Sequence, residues 1–326
     1  MKKNSYIGSV RFFKHLYLML LMLLIVVPSI VAISKSIALS KAQRELDALR
    51  QTVLSPESVT IEPKSAPKGE KSAPEILASQ RVIAHGLGAV DSKAVLNCLE
   101  GFEQNYAAGV RVFEADLRMT SDAHVVLRHD WRAGIQEGVS ETNIPTLEEF
   151  LAKPIDGKYT PLSFRSLLYL MEQYPDICII TDTKFIDEEE VTRQFSAMLH
   201  DAYDTGLTYL FGRMIVQVYT PMMFTVADNV YHFPHYILTL YKSDFDGTED
   251  SFRRQVTFCQ ENGIMGITMS DHWWTDDMPD YYPIASRCGI RIFVHTVDDA
   301  EKANSLIASG VSGVYTDTLL PSDITQ

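Results

Sequence analysis

Glu114 and Asp116 stand two residues apart in the run RVFEADL, and Asp182 and Lys184 do the same in DICIITDTK. Strand side chains alternate faces, so each pair projects from one side while Phe113 and Ala115, or Thr181 and Thr183, project from the other. Two carboxylates side by side in a poorly hydrated mouth repel each other, and the remedies are protonation of one or a bound divalent cation. Three acids without a cysteine make a hard oxygen site, suited to Mg²⁺ or Ca²⁺ rather than zinc. His85 ends the run RVIAH, His129 ends HVVLRH, and Gln217 lies near the end of RMIVQVY. Singly, each has a plain alternative: a strand-end histidine is more often a hydrogen-bonded structural group, and alternating charges often face water. Together at one end of one fold they would be a site, with acids and a lysine to manage charge and two histidines to move protons.

Nine β-rich runs must carry these residues: RVIAH, RVFEADL, HVVLRH, DICIITDTK, RMIVQVY, YILTLY, GIMGITMS, RIFVHTV and GVYTD. Helical patterns lie between most of them, such as VLNCLEGFEQNYAAG, SFRSLLYLMEQYP, EEEVTRQFSAMLHDAY, SFRRQVTFCQENG and AEKANSLIASG, each long enough for a parallel crossover. Only RMTSDA separates the second run from the third, too few residues for a crossover, so the third is predicted to be an antiparallel hairpin partner. The remaining eight strand–helix units in about 245 residues predict an α/β fold of the closed (β/α)₈ TIM-barrel type, whose active site sits at the C-terminal strand ends. An open doubly wound sheet is the alternative, disfavoured because no glycine-rich phosphate loop follows the first strand.

Before the barrel the chain changes character. Residues 16–33 are free of charge, long enough to cross most of a bilayer core, and predict a transmembrane helix or signal-anchor behind a short basic tail at 1–15. Ser36-Ile37-Ala38 would suit a signal peptidase, so a cleaved, secreted form is the alternative. Leu39, Ala42, Leu46, Leu49 and Val53 continue at heptad spacing, and 55–80 is rich in Ser, Pro, Lys and Glu. Residues 34–80 are therefore expected to form a juxtamembrane helix and flexible linker, with the barrel over 81–326. A short N-terminal tail favours its cytoplasmic placement and puts the barrel outside the cytoplasm, on a single-pass cell-membrane protein.

The chain carries 29 basic and 42 acidic residues, a net charge of −13. Five of the basic residues precede residue 39 with no acid among them, so the barrel is more acidic than that figure states. No nucleic-acid partner is expected from such a surface, and an anionic substrate would need a cation or a local basic site. Cys98, Cys178, Cys259 and Cys288 are too scattered for a disulfide scaffold or zinc motif and read as buried thiols, with a Cys259–Cys288 bridge left open.

On these segments the sequence resembles the glycerophosphodiester phosphodiesterase family, which shares its barrel with phosphatidylinositol-specific phospholipase C. The segments are VIAHG at 82–86, NCLEGFEQNYAAG at 97–109, FEADLRMTSDAHVVLRHD at 113–130, PTLEEFL at 145–151, IITDTK at 179–184, IVQVY at 215–219 and GVSGVYTD at 310–317. The resemblance implies His85 and His129 as general base and acid, and Glu114, Asp116 and Asp182 as ligands of a Ca²⁺ or Mg²⁺ cofactor. It implies Lys184 as a phosphate contact and Gln217 as a further substrate-side residue. His295 stands where the family often has tryptophan and is expected to line the pocket, and Trp273 in SDHWW is expected to form an apolar rim. The implied reaction is metal-dependent hydrolysis of a small-molecule or lipid-derived glycerophosphodiester to an alcohol and a phosphomonoester. A lyase or transferase that stops at a cyclic phosphate, and a non-catalytic phosphodiester-binding membrane protein, are the alternatives.

Three departures from the family pattern stand out. Gly86 follows His85 where the family has an arginine that grips phosphate, leaving Arg132 and Lys242 as candidate replacements. The Pro-Glu-Asn-Thr element is reduced to Leu96-Asn97-Cys98-Leu99, and Asp182 replaces a longer glutamate.

Overall fold

The computed structural model describes residues 13–17, 64–274 and 280–325. The chain divides into two units, 1–58 and 59–326. Of the first only a helical turn at 13–17 is described, so most of the expected membrane segment, 18–33, and the juxtamembrane stretch to 63 lie outside the described residues. Among the described residues no helix is long and apolar enough to cross a membrane.

The second unit is a barrel. Eight parallel strands close on themselves in the order β1 (Val82–Ala84), β2 (Val112–Met119), β4 (Cys178–Asp182), β5 (Met214–Val218), β6 (Tyr236–Thr239), β7 (Gly266–Ser270), β8 (Arg291–His295) and β9 (Gly313–Thr316). Closure comes from β1, which pairs with both β2 and β9. The hairpin strand β3 (Val125–Leu127) runs antiparallel to the end of β2, with Leu117 opposite Leu127 and Met119 opposite Val125, as the short RMTSDA spacer predicts. All nine strand runs are found, and all four cysteines are free thiols, three of them buried.

Crossover helices form where N-cap residues meet amphipathic runs. Ser163 caps α4 (Phe164–Gln173), Asp187 caps α5 (Glu188–Thr205), Thr248 caps α7 (Glu249–Glu261) and Asp299 caps α9 (Ala300–Ala308), each accepting a backbone N–H with its side chain. The others are α1 (Ala73–Ala78), α2 (Leu99–Ala107), α3 (Leu147–Ala152), α6 (Pro221–Val230) and α8 (Tyr281–Arg287).

Inward residues stack in layers. Ile83, Val112, Ile180, Ile215, Ile237, Phe293 and Tyr315 form an apolar lower layer, and the strand alternation then lifts Glu114, Asp116, Asp182 and Gln217 above it, toward the C-terminal mouth. Parallel register places Asp116 beside Asp182 and Glu114 beside Ile180.

The described part of the expected linker behaves differently from a tether. Residues 73–78 form α1, started by a Ser72/Glu75 capping box, and bury Ala73, Ile76 and Leu77 against the lower layer. Glu70 pairs with the buried Arg213, and Lys64 with Glu172. Three apolar side chains closing the barrel floor and a carboxylate matching a buried guanidinium outweigh the solvated composition of the stretch. The folded unit therefore begins well before Arg81.

Candidate active site

The site is built from strand ends. His85 Nδ1 lies 2.8 Å from Asp317 Oδ1, on the loop after β9, and its Nε2 lies 3.9 Å from Glu114 Oε2. Glu114 and Asp116 are almost wholly buried, at 2% and 0% exposure. The Gly86 N–H donates to Glu114 Oε2 at 2.8 Å, a contact made possible by a left-handed turn with φ of 54°. A Cβ at Gly86 would meet Val95 Cα at 2.6 Å, so glycine is required there on steric grounds as well. Ligand atoms of His85, Glu114 and Asp116 all lie within 4.8 Å of one another.

Asn97, the one residue kept from the reduced four-residue element, fixes Asp116 at both ends. Its Nδ2 donates to Asp116 Oδ2 at 2.7 Å and its Oδ1 accepts the Asp116 N–H at 2.9 Å. Asn97→Ala is expected to weaken Ca²⁺ or Mg²⁺ binding by about 10- to 100-fold, the usual cost of losing a residue that orients a ligand. Calorimetric titration of the variant against the unaltered protein measures this; equal affinity would show that Asp116 holds its place unaided.

Electrostatics follow from burial and neighbours. Burial and then the adjacent Asp116 push the Glu114 carboxyl well above the usual carboxylate range. Burial disfavours charge on His85, yet the Asp317 hydrogen bond and the charges of Glu114 and Asp116 outweigh it and lift His85 from 6.5 to about 9. Burial acts to raise Asp116 too, but the Lys184 ammonium, with His85 and His129, holds it below its ordinary value. His129 sits at the rim with 41% of its side chain exposed, its Nδ1 2.9 Å from Asp130 Oδ2. Both histidines thus have an aspartate on Nδ1.

Whether the residues suit a divalent cation rests on their donors. Glu114 Oε1 is buried without a hydrogen-bond partner, beside a second carboxylate and an imidazole. An orphaned carboxylate oxygen in such company is a cation-shaped deficit, and the set fits.

Asp182 stands outside this cluster. Its oxygens are taken up by Lys184, by the Tyr219 hydroxyl and by the Tyr241 hydroxyl at 3.1 Å. Lys184 Nζ is shared with Asp116 Oδ1 at 2.6 Å, so the lysine bridges the two aspartates that the register sets side by side. Burial opposes its charge, but Asp182, Asp116 and Glu114 hold the proton on Lys184 well above the ordinary lysine range.

The outer candidates divide. Gln217 is buried inside the barrel, accepting from Tyr315 Oη at 3.4 Å. His295 lies between Tyr241 and Tyr315, 2.9 Å from Thr268 Oγ1, and burial followed by the charge of His85 lowers it to about 4. Trp273 packs its ring on Phe245, with centroids 5.0 Å apart, and so closely over Gly247 that a Cβ there would lie 2.1 Å away. Its contacts join the loops after β6 and β7 rather than reaching the acids.

Asp317, Asp130, Tyr219 and Tyr241 are the site residues that strand-end reasoning passed over. Asp317 carried a signal, since it follows β9 as His85 follows β1, and a closed barrel makes those strands neighbours.

The arrangement gathers a buried carboxylate pair, a lysine and two aspartate-paired histidines at one end of the barrel. Solved structures share its fold. A glycerophosphodiester phosphodiesterase from Parabacteroides distasonis superposes with a TM-score of 0.59 at 17% identity, covering 74% of this chain and 94% of that one. An Oleispira antarctica phosphodiesterase in complex with the product sn-glycerol-3-phosphate gives 0.60 at 15% identity, covering 78% and 98%. At such identities the likeness is one of fold. The model of the glycerophosphoryl diester phosphodiesterase family, however, matches residues 91–320, well over half of the sequence and including the acid pair, His129 and the Asp182–Lys184 strand end. The chain belongs to the glycerophosphoryl diester phosphodiesterase family and is a phosphoric diester hydrolase.

Proposed function

We propose that this site hydrolyses a glycerophosphodiester to an alcohol and a phosphomonoester, with a divalent cation on Glu114 and Asp116, His85 as general base and His129 as general acid. The observation that carries the reading is the pairing of each histidine with an aspartate through Nδ1, around a buried carboxylate pair with an oxygen to spare. When bound, the cation supplies positive charge to the phosphoryl oxygens.

The chain's own residues do the rest. Asp317 fixes the His85 ring and leaves Nε2 to take the proton of the attacking hydroxyl, either water or the substrate's own 2-hydroxyl. As the new P–O bond forms and the bond to the alcohol breaks, His129 gives its proton to the departing alkoxide. Asp130 orients the His129 ring through Nδ1, and Lys184, held by Asp116 and Asp182, adds fixed positive charge near the phosphate.

The full-length protein tests this on glycerophosphocholine, glycerophosphoglycerol and a lysophospholipid, each with Ca²⁺, Mg²⁺ or EDTA. Release of phosphomonoester that stops on chelation is the expected result; no turnover of any of them by cation-loaded protein counts against the reading. Detection by ³¹P NMR also separates hydrolysis from a reaction that ends at a cyclic phosphate.

Cation binding should depend on pH with a definite sign. Glu114 and His85 both keep protons at neutral pH when no cation is bound, and a cation must displace them. Affinity is therefore expected to tighten as pH rises from about 6 to about 8, with release of about one to two protons. Calorimetry in buffers of different ionisation enthalpy reads that release directly, and a pH-independent affinity would contradict it.

The charge-free stretch at 16–33 supports placing this activity at the cell membrane, with the barrel outside the cytoplasm. Glycerophosphodiesters derived from lipids, lysophospholipids or cell-wall polyglycerophosphate are the substrates such a position favours.

A further inference from the structure

The mouth contains more basic residues than it has free positive charge. Lys184 is claimed by Asp116 and Asp182. Arg132, expected from sequence as a candidate phosphate contact, is turned back on Asp130 through Nη2 at 2.6 Å. Lys242 donates to the Lys184 carbonyl at 2.7 Å and lies over the rings of Tyr219 and Tyr241, at 5.0 and 5.6 Å. No basic residue follows His85, where Gly86, Leu87 and Gly88 make the turn.

Arg118 is different. It is the third residue of the inward series Glu114, Asp116, Arg118 on β2, so the same alternation that aims the carboxylates carries it toward the mouth. Its Nε donates to the His129 carbonyl at 3.1 Å, which sets the guanidinium beside the proposed general acid. The ring of Phe185 lies 5.9 Å from its Cζ. Among the described residues it forms no ion pair, and neither terminal nitrogen has a hydrogen-bond partner there. A half-buried guanidinium with one nitrogen anchored and two unspent is prepared for a planar, two-oxygen partner.

We propose that Arg118 grips two non-bridging oxygens of the reacting phosphodiester and holds the leaving-group side of the phosphorus against His129. The inference rests on the hydrolase reading above and deepens it by naming the residue that binds the phosphate. Lys184, shared between Asp116 and Asp182, then adds charge near the phosphate while Arg118 supplies the two-oxygen grip.

The test uses full-length protein and the neutral variants Arg118→Met and Arg118→Gln, with sn-glycerol 3-phosphate as the binding probe. Both KM for glycerophosphocholine and the inhibition constant for sn-glycerol 3-phosphate are expected to rise about 10- to 100-fold, the scale of a lost charge-assisted hydrogen bond. Ca²⁺ affinity is expected to stay within about 2-fold, because Arg118 touches none of the cluster's ligand atoms. Arg118→Lys keeps the charge without the fork and should fall between. A residue that merely buttresses His129 through its carbonyl would lower kcat and leave both constants alone, and that result overturns the proposal. Were the unaltered protein to show no turnover, the hydrolase reading would fail separately. Direct titration with sn-glycerol 3-phosphate would still decide about Arg118, and equal binding by protein and folded variant would reject it.

Discussion

Glu114→Ala is expected to abolish turnover, by about 10³-fold or more, and to remove cation binding while leaving the barrel folded. Glu114 brings a buried oxygen without a hydrogen-bond partner to the cluster and lies beside both His85 and Asp116, so its loss removes an anionic ligand from the centre of the group. Its loss frees the Gly86 N–H, at a cost of about 1–3 kcal/mol for an unmet buried donor, against which stands relief from burying a carboxyl group. Glu114→Gln separates the two effects: the amide oxygen still accepts from Gly86, so stability should be kept, yet the anionic ligand is gone. Thermal unfolding, calcium titration and phosphomonoester release on both variants make the test. Normal activity in either would remove Glu114 from the chemistry.

His129→Ala should cost about 10²- to 10⁴-fold on glycerophosphocholine, the range for a general acid. What marks an acid is dependence on the leaving group. An alkoxide needs a proton as it departs, whereas p-nitrophenolate leaves without one, so the variant should recover much of its deficit on a p-nitrophenyl phosphodiester. His85→Ala should be slow on both substrates, since activation of the nucleophile does not depend on what leaves. Equal losses on both substrates for His129→Ala would refute its assignment as the acid. The exposure of His129 at the rim suits this role, because the leaving alcohol must pass outward.

Much of the fold was legible because its strands are short β-rich runs separated by amphipathic stretches, and because five residues between β2 and β3 permit only a hairpin. The helices that escaped notice lack that contrast. Residues 221–230, PMMFTVADNV, carry Pro221, Met222 and Phe224 beside the buried stripe of Met223, Val226, Ala227 and Val230, so in the sequence the stripe of α6 does not stand out from its neighbours. α1 is six residues long inside a Pro-, Ser- and Lys-rich stretch, and its meaning lies in the barrel floor it covers.

The site divides along a similar line. Two-residue spacing was enough to put Glu114 with Asp116, since alternation is local. It could not say that Asp182 would be taken by Tyr219 and Tyr241, because those hydroxyls come from the turns just after β5 and β6 and meet it only through the stagger of the closed sheet. Arg118 obeyed the same local rule as the acids, and was overlooked because it lies beyond the acid pair, next to the hairpin.

The way α1 closes the floor of the barrel bears on how such an enzyme can be rebuilt. Residues 64–80 are not an interchangeable spacer. A chimera that grafts 81–326 behind a different leader would give up Ala73, Ile76 and Leu77 from the interior and leave Arg213 without the carboxylate of Glu70. A buried guanidinium stripped of its counter-charge is among the costlier defects a domain can carry. Modular exchange must therefore join the chain upstream of Lys64, where the swap leaves the barrel's own parts intact.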